Sequence, residues 1–163
     1  MEYNDIEIKD KFDENIPDNI IENFSYTSVD NGSIVFRLYS EKAENYNQKN
    51  ETILDKVVFR EYNINNDIVT EGTAEKGLIH TDSDDAELTG TRIYSTENEA
   101  EINAEYLYWN DANKTLNSSE NGIVKLFKDS GTQISGTGFK GDLKTKIFNF
   151  ERDVTGIYKY EDN

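Results

Sequence analysis

Apolar residues recur at every second position along most of the chain. Ile34, Phe36 and Leu38 share one parity within residues 33–39, and Ile102, Ala104, Tyr106 and Tyr108 share one within 102–108. Residues 123–127 alternate in the same way, Phe148 and Phe150 match within 146–150, and Val154, Gly156, Tyr158 and Tyr160 carry the pattern to the C-terminus. Period 2 is the strand period, because successive side chains of an extended chain leave opposite faces. Turn-forming runs separate the segments: Asn31-Gly32, Asn65-Asn66-Asp67, Asp82-Ser83-Asp84-Asp85, Asn110-Asp111-Ala112-Asn113, Asn121-Gly122 and Asp129-Ser130-Gly131. Asn-Gly between alternating segments is the strongest short hairpin signal. Only residues 12–24 hint at a helix, and Pro17 weakens it. The pattern predicts an all-β domain with short strands about every 8–12 residues.

A weak internal repeat overlies this alternation. Small residues at Ala43, Gly77, Gly136 and Gly138 mark corners, each followed about ten positions later by an apolar residue, as at Leu54, Leu88 and Phe148. One strand–corner–turn–strand unit cannot bury its own apolar face, whereas stacked units can. The small residues predict places where strands bend or backbones approach closely.

Composition narrows the functional classes. The 163 residues carry 33 acidic and 17 basic side chains, a formal net charge of −16. That balance excludes a nucleic-acid-binding module and a polybasic anchor on anionic lipid. Hydrophobic residues make up only 35%, yet aromatics reach 12%, with ten Tyr and eight Phe, which argues for a folded domain with an aromatic-rich core. Residues 1–15 are polar and acidic and read as a leader with little structure of its own, the folded domain occupying 16–163. Cysteine is absent, so disulfides, thiolate metal sites and Cys nucleophiles are excluded. The single histidine, His80, cannot form a multi-His metal site. The opening Met1-Glu-Tyr-Asn-Asp lacks the basic and apolar regions of a secretion signal.

Two motifs invite sharper readings and lose to plainer ones. Gly136-Thr-Gly138-Phe-Lys-Gly141 matches G-x-G-x-x-G, but that fingerprint needs a following helix, and residues 142–150 alternate as a strand. Asp82-Ser-Asp84-Asp85-Ala-Glu87 lacks the Gly and Glu spacing of a calcium loop and reads as a solvated turn. Paired carboxylates among 33 acids carry no information about glycoside chemistry. No cofactor and no metal are expected.

An ordered set of short motifs points further. Tyr39-Ser-x-x-Ala43-x-x-Tyr46 is followed by Leu54-x-x-Val57 with Tyr62, by Ala74-x-x-Gly77 and by Leu88-Thr-Gly90. Then come Ile102-x-Ala104-x-x-Leu107-x-Trp109, Ile134-Ser-Gly136-x-Gly138-Phe139-x-x-Asp142 and a closing Val154. Together these resemble the LptC family of lipopolysaccharide export, related to LptA and OstA-type domains, over about Pro17 to Tyr160. The resemblance implies a twisted, slightly open antiparallel β-jelly roll with no enzymatic activity. It implies a periplasmic domain tethered to the inner membrane by an N-terminal helix that this sequence does not contain.

The same resemblance assigns roles to residues. The stripes Phe36, Leu38, Phe59, Leu88, Ile93, Ile102, Tyr106, Ile123, Phe139, Phe148 and Val154 are expected to line an interior that accepts lipid A acyl chains. An N-terminal edge at Ile20, Ile21 and Phe24 is expected to face an inner-membrane ABC transporter. A C-terminal edge at Val154, Gly156 and Tyr158 is expected to face an LptA-like bridge protein, and exposed edges also allow self-association. The expected function is transfer of lipopolysaccharide between those two partners. The alternatives are a soluble LptA-like bridge subunit and a surface adhesin or carbohydrate-binding β-domain. Lys140, Lys144 and Lys146 form a small basic cluster, read as a solvated face.

Overall fold

A computed structural model describes residues 13–158. Most of the expected leader, residues 1–12, and position Tyr160 lie outside the described residues.

Among the described residues twelve strands form one antiparallel sheet. Six long strands follow each other as a meander: β1 (Asn19–Asp30), β2 (Ser33–Tyr46), β3 (Glu51–Tyr62), β4 (Ile68–His80), β5 (Asp85–Ser95) and β6 (Ala100–Asn110). Asn31 and Gly32 join β1 to β2 with φ of 49° and 78°, the positive pair that a two-residue type I′ turn requires. Residues 19–22 and Phe24, inside the segment with the helical hint, pair with β2, so the tertiary ladder overrides local propensity there. The long strands run to 14 residues, longer than the turn spacing predicts.

The length has a physical reason: each long strand crosses a crease. The pairing registers pass over Asn23, Glu41, Lys56, Glu75, Gly90 and Glu105, which stand in one line across the six strands. Asn23, Lys56 and Gly90 are left-handed, with φ of 53°, 55° and 60°, and alternate along that line with the three glutamates. One extra residue per strand turns every following side chain to the other face. The buried positions therefore sit three apart across the crease: Ser40 and Ala43, Leu54 and Val57, Ala74 and Gly77, Ala104 and Leu107. The sheet bends here into two leaves.

The remaining strands are broken at the same line. Leaf I, which ends in the Asn31-Gly32 turn, continues from Ala100–Ala104 of β6 into β8 (Val124–Lys128), β9 (Gln133–Thr137) and β12 (Arg152–Ile157). Leaf II continues from Tyr108–Asn110 into β7 (Thr115–Asn117), β10 (Lys140–Asp142) and β11 (Ile147–Asn149). Gly138, at φ 64°, separates β9 from β10, and a Cβ there would stand 2.8 Å from the Cβ of Glu151. Gly90 meets the Cγ of Glu75 at the same 2.8 Å. The glycine–glutamate pairing of the crease thus recurs in the last strands. Asn121-Gly122 makes no hairpin; it lies in the crossover that carries the chain from β7 on leaf II to β8 on leaf I.

The leaves close on each other over two apolar clusters. One joins Ile93, Ile102, Ala104, Val124 and Leu126 of leaf I to Leu107, Leu116 and Phe139 of leaf II. The other gathers Ala43, Leu54, Val57 and Ala74 about the crease near the N-terminal edge. Ser40, fully buried at the crease, donates its hydroxyl to the carbonyls of Lys42 and Asp55, both at 2.8 Å, so the bend leaves it satisfied.

Candidate functional site

Two register rows along the inner face of the folded sheet carry no charged residue. On leaf I one register row runs from Tyr26 through Leu38, Phe59, Gly72 and Ile93 to Ile102, Leu126, Ile134 and Gly156. On leaf II a matching row passes Thr52, Ile79, Ala86 and Trp109 to Leu116, Gly141 and Phe148. Neither row carries an Asp, Glu, Lys or Arg, so the net charge of −16 is borne elsewhere. Such rows offer apolar contact rather than ionic partners, while Glu61, opposite Phe36, places a carboxylate one row nearer the rim.

Burial is graded along the inner face. At the N-terminal end Tyr26 is 52% exposed and Phe36, Leu38 and Phe59 are half-buried. Phe36 sits 6.4 Å from Tyr26 and 6.2 Å from Phe59 between ring centroids, so three rings line this open end. Midway along the inner face Ile93, Ile102 and Leu107, with Phe139 packed against them, are at most 3% exposed, and beyond them Ile134 is half-buried and Gly156 exposed. Phe139 packs its ring 5.7 Å from Phe148 and 5.3 Å from Phe150.

Most of the expected lining residues are on this face, and some are not. Phe36, Leu38, Phe59, Ile93 and Ile102 lie on the inner side of leaf I; Leu88, Phe139 and Phe148 pack from leaf II. Tyr106 stands on the outer face, paired with Thr89, because the crease at Glu105 reverses the parity that Ile102 and Ala104 set. Ile123 lies in the β7–β8 crossover and is 63% exposed. Val154 is 56% exposed on the terminal strand, where an irregularity between Arg152 and Thr155 interrupts pairing with β9. The lining residues that period-2 reading missed are Leu54, Val57, Leu107, Leu116, Val124 and Leu126. A spacing of three across the crease is the signal that finds Leu54, Val57 and Leu107.

Both expected edges are edge strands, each paired on one side only: β1 with β2 and β12 with β9. Ile20 and Ile21 on β1 are 55% and 40% exposed, while Phe24 packs on the cluster at Ala43. At the other end β12 pairs with β9 alone, and Tyr158 just beyond it is 76% exposed. Gly156 faces inward: a Cβ there would come within 2.8 Å of the Gln133 carbonyl oxygen.

The outer face of leaf II is polar and internally satisfied. Tyr106 donates its hydroxyl to Glu87 Oε1 at 2.8 Å, and His80 Nε2 lies 2.9 Å from Glu87 Oε2. Burial first, then Glu87, pushes the Tyr106 hydroxyl up to about 12. The same hydrogen bond, with help from His80, holds the Glu87 carboxyl below the usual carboxylate range. Tyr108 donates to Asp85 at 2.6 Å. Among the described residues no group of three or more acidic or His side chains is arranged to hold a metal ion. Gly136–Gly141 spans β9, the Gly138 bend and β10, and leads into β11 with no helix, so the dinucleotide context is missing.

The geometry defines a creased, antiparallel β-roll with two uncharged inner rows and an edge strand at each end. A profile of the LptC-related lipopolysaccharide-assembly family matches residues 2–159, and the chain belongs to that family. Its fold is similar to the crystal structure of LptH from Pseudomonas aeruginosa, described as the LptA-homologous periplasmic component of the conserved lipopolysaccharide transport device. That similarity has a TM-score of 0.58 at 12% identity and covers 77% of this chain and 95% of that one. No curated protein matches the sequence significantly. The chain takes part in lipopolysaccharide assembly, on an LptA-like jelly-roll fold.

Proposed function

We propose that this domain is a non-enzymatic carrier that shields lipopolysaccharide acyl chains on its inner face as they move between two partners. The supporting observation is the uncharged inner row that runs from Tyr26 on the first strand to Gly156 on the last. Each methylene exposed to water costs about 0.8 kcal/mol, so a multi-acyl lipid needs an apolar path to cross an aqueous space. The donor is an ATP-driven inner-membrane extractor docked at β1, and the acceptor is an LptA-like jelly roll docked at β12. Strand addition at each edge draws affinity from main-chain hydrogen bonds and extends the inner row into the partner. The site of action is the periplasm, with tethering to the inner membrane. Among the described residues no helix is long and apolar enough to cross a membrane.

Reconstitution tests this reading. Proteoliposomes bearing the extractor, with ATP, pass lipopolysaccharide to a soluble bridge protein when this domain is present and fail to do so when it is omitted. Equal transfer with and without the domain contradicts it.

A further inference from the structure

The two leaves touch at their rims. Glu97 lies in the β5–β6 turn at the rim of leaf I, and Lys146 in the β10–β11 turn at the rim of leaf II. Their side chains meet at 3.2 Å, across the mouth of the fold. Burial beneath them agrees: Ala100 at the leaf I rim is fully buried, and Thr115 and Leu116 at the leaf II rim are 6% and 4% exposed. Toward the N-terminal edge the inner face instead remains half-exposed at Phe36, Leu38 and Phe59. The mouth is thus open toward the N-terminal edge and clasped about midway, where the inner face is most deeply buried.

We infer that the Glu97–Lys146 pair is a clasp that a phosphorylated lipid headgroup must part in order to travel toward the C-terminal edge. This rests on the lipid-carrier reading. Acyl chains lie inside, but a phosphorylated glycan is disfavoured against inner rows that carry no basic side chain. The headgroup therefore moves outside while covalently joined to chains inside, and the mouth must be open at each point it passes. At the clasp it meets a lysine. A phosphate takes the place of the Glu97 carboxylate on the Lys146 ammonium, an exchange of one oxyanion for another with no bond made or broken. Both side chains are about half exposed, so their mutual attraction is screened and the pair parts readily. While the pair is closed the headgroup and its chains stay on the N-terminal side, and transfer of its phosphate onto Lys146 lets both pass together.

The absence of cysteine makes the test clean. Full-length Glu97→Cys/Lys146→Cys protein in complex with the extractor is bridged by a short, reducible bis-methanethiosulfonate. A control pair, Arg92→Cys/Asn103→Cys, joins neighbours on the outer face of leaf I, whose native side chains lie 3.3 Å apart. Two signals are read: lipid captured by a photo-crosslinker at Leu38, and lipid delivered to the bridge protein. The bridged clasp should keep the Leu38 signal and lose delivery; reduction should restore delivery, and the control pair should change neither. In addition, Lys146→Glu should slow delivery and Lys146→Arg should sustain it. Undiminished delivery with the clasp bridged, while Leu38 still captures lipid, overturns the clasp and leaves the carrier reading intact. Absence of lipid at Leu38 in every form, wild type included, overturns the carrier reading itself.

Discussion

The Phe59 ring occupies the space that a side chain at Gly72 would need: a Cβ on residue 72 would stand 2.8 Å from ring atom Cε1. The two residues are cross-strand partners on β3 and β4 and midpoints of the inner row. Glycine here lets a large ring lie across the sheet and face the open compartment. Gly72→Val should destabilise the domain by about 1–3 kcal/mol, the usual cost of overpacking. In a double-mutant cycle Phe59→Ala should recover most of that loss, read as the urea midpoint. Additive losses would mean the ring is not the clashing group.

The crease makes a second demand on the backbone. At φ 60° with Glu75 beneath it, Gly90 is strained by any β-branched residue. Gly90→Val should cost about 1–3 kcal/mol, and Gly90→Asn distinctly less, since Asn tolerates the left-handed region. Equal unfolding midpoints for the two variants would contradict a left-handed requirement at this position.

The polar outer face sets a pH dependence. The Glu87 carboxyl is depressed in the folded state, chiefly by the Tyr106 hydroxyl, so its contribution is present above the ordinary carboxylate range and is lost as pH falls through the lowered value. Tyr106 works in the opposite sense: raised from 10.0 to about 12, it favours folding below its ordinary value and loses that effect as pH rises toward about 12. Tyr106→Phe should flatten the acid-side decline of the urea midpoint and remove the highest-pH step from the ultraviolet tyrosinate titration. An unchanged acid limb would contradict the coupling.

The C-terminal edge calls for a choice of variant that respects its geometry. Gly156→Arg would push against the Gln133 carbonyl and disturb the β9–β12 pairing, so it confounds docking with folding. Val154, exposed within the pairing irregularity, is the better position. Val154→Pro should weaken capture of an LptA-like protein while extractor binding and the β-type circular dichroism persist. Loss of both partners together would place the docking edge elsewhere.

The strand period and the Asn31-Gly32 turn were legible because both are local: alternation follows from extended geometry, and the turn from two residues that accept positive φ. The crease was not. Left-handed Asn23 and Lys56 carry no compositional mark, and the added residue in each strand reverses parity without breaking the alternation on either side. Tyr106 was therefore assigned to the wrong face and Leu107 passed over. The spacing Ser40-x-x-Ala43, Leu54-x-x-Val57, Ala74-x-x-Gly77 and Ala104-x-x-Leu107 did hold the information, since a separation of three cannot keep one face within a regular strand. The rim contact between Glu97 and Lys146 joins turns nearly fifty residues apart and depends on how far the leaves close, which no local pattern encodes.

The central claim, that acyl chains lie on the inner face, is tested most directly by site-specific photo-crosslinking during ATP-driven extraction. Leu38 and Tyr39 are adjacent in sequence and on opposite faces of β2, since Leu38 pairs with inner Phe59 and Tyr39 with outer Val58. A photo-crosslinker at Leu38 should label lipid A, and one at Tyr39 or at outer-face Tyr106 should not. Equal labelling at Leu38 and Tyr39 would contradict an interior route.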